Sequence, residues 1–87
     1  MKDTKYIVYE DENTGIEEMI IFAQTMQHYD VAHQLGVVDI VRGAGFVRIG
    51  INRKGMIAEA YGKSISLNIP SREDKDTLIL HRVLGFI

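Results

Sequence analysis

Apolar and polar positions alternate most regularly between residues 45 and 67, GFVRIGINRKGMIAEAYGKSISL. Val47, Ile49 and Ile51 are interleaved with Arg48, Gly50 and Asn52, the two-residue period of a half-buried strand. Asn52, Arg53, Lys54 and Gly55 supply a turn, with Gly55 free to adopt the positive φ that closes a hairpin. Residues 56–61 return as the partner strand. The rest of the chain is arranged around this central hairpin.

The segment KYIVYE, residues 5–10, has strand composition, and DENTG after it has turn chemistry. The apolar run that follows fits either a helix over residues 16–35 or a strand over residues 19–23. The strand is preferred, because the run is short, rich in Ile and Phe, and comes directly after a turn. Thr25 then caps a helix from Met26, on which His28, Val31, Ala32 and Leu35 share one face and which Gly36 ends. Residues 37–41 form another β-branched run, and Gly43-Ala44-Gly45 bends or bulges the chain into the hairpin. Residues 65–69 read as a short strand or extended segment that Pro70 stops. Ser71 with Asp74 makes a capping-box pattern that opens a last helix to about Leu84, closed by Gly85. Its buried stripe is Ile79, Leu80, Val83 and Leu84, with Leu78 on the opposite side.

The expected fold is α+β: an antiparallel sheet of four to five strands with two helices on one face, in a single domain. Strand, turn and strand followed by a helix ending in Leu-Gly occur twice, at Leu35-Gly36 and Leu84-Gly85. This is either a duplicated ββα unit or a chance likeness of two hairpins. The core is expected to hold Val47, Ile49, Ile51, Val31, Leu35, Ile79, Leu80 and Val83.

Composition narrows the class. Eighty-seven residues make one domain with a modest core. The absence of cysteine excludes disulfides and thiolate metal sites. No apolar run approaches the ~20 residues needed to cross a bilayer, and the start MKDTKYIVYED lacks a signal-peptide pattern, so a cytoplasmic protein with no membrane contact is expected. Charge is uneven: residues 1–41 hold two lysines against eight acids, residues 42–87 eight cations against four acids. Either the two sets attract within the fold, or they favour self-association or an anionic partner.

The candidate chemistry is sparse. Gly62-Lys63-Ser64 ends like a phosphate-binding loop, but the glycine required five residues earlier is Ile57. Gly43-Ala44-Gly45 starts like a dinucleotide fingerprint, but the third glycine position holds Arg48. His28 and His33 stand ~140° apart around a helix and cannot share a metal; His28, on the apolar face, reads as a structural histidine. No catalytic set can be assembled with His81 either, so a non-enzyme without cofactor or metal is expected. Arg48, Arg53, Lys54 and Lys63 lie on or near the hairpin with Phe46 and Tyr61, a mixture that binds anions or single-stranded nucleic acid in some sheets. A pI of about 5.8 argues against that use. Leu78, Phe86 and Ile87 are apolar groups that packing on one subunit leaves over, and they point to a homodimer.

The stretch AGFVRIG…AYGKSISLNIPSREDKDTLILHRVLG resembles a group of small phage and prophage proteins of uncharacterised function. The residues that carry the likeness are Ala44 to Val47, Gly62 to Leu67 and Ser71 to Asp74, with a fainter likeness over Thr25 to Leu35. The resemblance implies a phage-encoded accessory protein acting in a bacterial cytoplasm on a host or phage protein. The expected function is therefore a small interaction module that binds a protein and self-associates, with a nucleic-acid-binding accessory protein as the alternative.

Overall fold

The computed structural model describes residues 4–86. Strands β1 (Thr4–Glu10), β2 (Glu17–Phe22), β3 (Val41–Asn52) and β4 (Gly55–Tyr61) form an antiparallel sheet in the order β2-β1-β3-β4. Helix α1 (His28–Leu35) follows β2. A two-stranded ribbon, β5 (Lys63–Ser64) with β6 (Ile69–Pro70), and helix α2 (Glu73–Val83) follow β4. The fold is α+β.

Alternation along β1 sorts the core into two layers. Tyr6 and Val8 point to one face, with Met19, Val47, Ala58, Ala60 and the α2 residues Ile79 and Leu80. Ile7 points to the other, with Val31 and Ala32 of α1, Val37, Val41 and Ala44. The helices therefore lie on opposite faces of the sheet, not together on one. This also separates the two ββα halves. A two-fold rotation relating the antiparallel neighbours β1 and β3 would leave both helices on the same face, so the halves share element order without being a rotational repeat.

Several boundaries shift for local reasons. The preferred strand is found as β2. Met26 closes a turn onto Ala23 O at 3.1 Å, and its carbonyl accepts from Lys5 Nζ at 2.8 Å, so α1 begins two residues later without a Thr25 cap. The Ser71 hydroxyl is drawn 2.6 Å from the Tyr6 hydroxyl rather than onto the helix, and α2 has no side-chain cap at Arg72. Residues 37–41 wind through a 3-10 turn (Val38–Ile40) into β3. Pairing jumps from Val8–Gly43 to Tyr9–Val41, so the bulge falls at Arg42, beside the first glycine of Gly43-Ala44-Gly45. Residues 65–68 form a turn, with Asn68 at φ 56°, in place of an extended segment.

Half of the expected core is exposed. Val31, Val47, Ile79 and Leu80 are buried, but Ile49 is 44% and Ile51 84% exposed, and Leu35 and Val83 are open as well. The described part of β1 pairs with β3 only as far as Val47, so the end of the β3–β4 hairpin extends past the layers that would cover it. At the end of α1, the left-handed Gly36 turns the chain back and Val37 enters the core in place of Leu35.

Candidate functional site

The hairpin turn forms where the sequence places it. Gly55 has φ 118°, and the Lys54 N–H bonds Asn52 Oδ1 at 2.9 Å, fixing the tip. Ile49 stands opposite Ala58 and Ile51 opposite Met56, so Ile49, Ile51 and Met56 share the face on which α2 lies, and all three are exposed. This strip runs into an open groove of about 720 Å³ between β4 and α2, lined by Met56, Ala58, Thr77, Leu78, His81 and Phe86. Leu78 is 57% and Phe86 39% exposed. Phe86 is held in place: its N–H bonds His81 O at 2.8 Å while Gly85, at φ 81°, bonds Arg82 O, and its ring lies 5.4 Å from the His81 ring. Glu73 and Asp74 line the other end of the groove.

Part of the outer edge of β4 is covered by side chains one helical turn apart. Thr77 Oγ1 accepts the Ala60 N–H at 3.0 Å, and His81 Nε2–H donates to Ala58 O at 2.8 Å. Two of the backbone groups that an added strand would use, the Ala60 N–H and the Ala58 carbonyl, are thereby occupied, and over this part of the edge a partner meets side chains.

Behind the groove a polar network ties α2 to β1 and β2. The Tyr6 hydroxyl donates to Asp76 Oδ2 at 2.6 Å, the Arg72 N–H bonds the same oxygen at 3.1 Å, and Arg72 Nη2 bonds Oδ1 at 2.7 Å. Arg72 Nη1 reaches Glu17 Oε2 at 2.8 Å, and Lys75 lies 3.6 Å from Glu17 Oε1. Burial and the Asp76 hydrogen bond push the Tyr6 hydroxyl pKa far up. The hydrogen bond from Arg72 holds the Glu17 carboxyl below its ordinary range. Burial opposes the charge of Arg72, but Glu17 and Asp76 outweigh it and raise its pKa. A Cβ on Gly43 would overlap the Asp76 carboxylate, so only glycine lets β3 pass this close. The groups are locked onto one another, and the network serves to anchor α2.

No protein-family model, curated protein or solved structure matches this chain.

The four basic residues singled out from sequence do not converge. Arg53 and Lys54 form the hairpin tip. Arg48 stacks 4.4 Å over the Tyr61 ring on the opposite face from α2, across from Glu59. Lys63 lies past the far end of β4, roughly 20 Å from the tip by strand length, in a separate hollow with Lys5, Phe46 and His28. There His28 is buried edge-on between Phe22 and Phe46, and its Nε2–H donates to Gly45 O at 2.8 Å. Burial lowers its pKa. Of the three self-association residues, Leu78 and Phe86 meet in the groove, and Ile87 lies outside the described residues. Among the described residues no group of three or more His, Cys, Asp or Glu is placed to hold a metal, and no helix is long and apolar enough to cross a membrane.

Sequence reasoning missed Thr77, His81 and Asp76. Asp76 left a signal: it falls three and four residues before Ile79 and Leu80, a carboxylate on the apolar stripe.

Proposed function

We propose that this chain is a non-enzymatic interaction module that binds a protein through the apolar strip from the hairpin tip to the β4–α2 groove. The observation that carries the reading is the continuity of Ile51, Met56, Leu78 and Phe86 as exposed apolar side chains on one face. They sit on a hydrogen-bonded turn and a closed helix end, so little order has to be created on binding. The resemblance to phage and prophage proteins favours a setting in which such a module acts on a bacterial host protein.

The test is capture from a bacterial lysate on immobilised wild type and on Leu78→Asp, a change at an exposed position that is expected to leave the melting temperature in place. A protein held by wild type and lost by the variant supports the site. Equal retention by both overturns it. A labelled single-stranded oligonucleotide is titrated in parallel at two salt concentrations. Tight binding that falls steeply with salt and ignores Leu78→Asp would replace this reading with nucleic-acid binding.

A further inference from the structure

The strip is electrically polarised along its length. The hydrogen bonds from Ala60 to Thr77 and from His81 to Ala58 show that β4 and α2 run in opposite directions. The hairpin tip, with Arg53 and Lys54, is therefore at one end, and the first turn of α2, with Glu73 and Asp74, is at the other. Between them lie Met56, Phe86 and Leu78. A surface that is basic, then apolar, then acidic is complementary to itself when turned by a half-rotation.

We propose that the occupant of this face is a second copy of the chain, docked across a two-fold axis. The basic tip of each protomer lies against the acidic first turn of α2 in the other, and the apolar centres pack together. This rests on the protein-docking reading above and names its partner. Docking with the two strips in the same direction would set cation against cation and acid against acid, so charge selects the antiparallel alignment of the two strips across the axis. The Thr77 and His81 bonds occupy the Ala60 N–H and the Ala58 carbonyl and so disfavour edge-to-edge pairing of β4 there, which leaves side chains as the contact between the two sheets.

A charge exchange tests this. One variant carries Arg53→Glu with Lys54→Glu, and a second carries Glu73→Lys with Asp74→Lys. Each is checked by its melting curve, and masses are measured by light scattering and sedimentation from micromolar to several hundred micromolar. Wild type is expected near twice 9.9 kDa and each variant near the single mass. An equimolar mixture of the variants should regain the doubled mass, because both contacts are then complementary. Leu78→Arg, away from the helix terminus, should also give the single mass. Wild type at the single mass throughout, or variants that stay dimeric alone, would overturn the proposal. A monomeric wild type that still captures a lysate protein through Leu78 overturns the second copy alone and leaves protein docking standing.

Discussion

Asp76 accepts three hydrogen bonds, from Tyr6, the Arg72 amide and the Arg72 guanidinium, where no solvent reaches it. Breaking one member of such a buried set leaves uncompensated charge. Asp76→Asn is expected to cost ~3–5 kcal/mol, and Tyr6→Phe a smaller ~1–3 kcal/mol; urea unfolding of the two side by side checks the order. An Asp76→Asn protein as stable as wild type would reduce the network to a surface pair. His28 sets the pH dependence at the same scale. Burial places its pKa below the ordinary 6.5, so below that pH the unfolded chain takes up a proton that the folded chain resists. Stability is full above about pH 6.5 and falls below it. The Glu17 carboxyl, depressed from 4.5 chiefly by Arg72, adds a second loss as pH falls below that value. Melting temperatures from pH 8 to about 2.5 should show both limbs, with His28→Gln flattening the first. A profile with no change through pH 6 would contradict the burial of His28.

Edge protection belongs to the element scale. β4 is a seven-residue edge strand, and Thr77 and His81 occupy its outward Ala60 N–H and Ala58 carbonyl. Replacing both, as Thr77→Val with His81→Leu, leaves a donor and an acceptor unpaired at ~1–3 kcal/mol each and opens the edge to other chains. The expected result is a lower melting point together with concentration-dependent scattering beyond any dimer; an unchanged scattering profile would show that the edge needs no seal. At this scale much was legible. The turn at residues 52–55, strand β2 and both glycine-closed helix ends follow from local residue chemistry. The helix starts were not legible: at both, hydrogen bonds with distant groups displaced the local cap, from Lys5 to the Met26 carbonyl and between the Ser71 and Tyr6 hydroxyls.

The sheet carries a core layer on each face, and this decides which apolar residues matter for stability. Leu80 is fully buried between α2 and the sheet, and Leu80→Ala is expected to cost ~2–5 kcal/mol. Ile49 shares that face but is 44% exposed, so Ile49→Ala should cost under ~1 kcal/mol, since little area leaves contact. Chemical denaturation of the pair measures the difference, and equal losses would mean that the hairpin end is covered. Opposite helices also leave the uncovered part of the α2 face as a continuous strip, the feature on which the proposed docking depends.

By itself the sequence determined the period of the strands, the glycine-closed turns and helix ends, the α+β class and the surplus of Leu78 and Phe86. These are set by neighbours within a few residues, through backbone sterics and side-chain period. Which face each helix covers, how far β1 supports β3, and whether Ile49 and Ile51 are buried depend on contacts between residues far apart in the chain. Alternation says only that two residues point the same way; what lies in that direction is decided by how the elements pack. The joining of Tyr6, Glu17, Arg72 and Asp76 is of the same kind. Four polar residues from three elements become one network only when α2 is laid across the sheet, and that placement is a property of the tertiary structure.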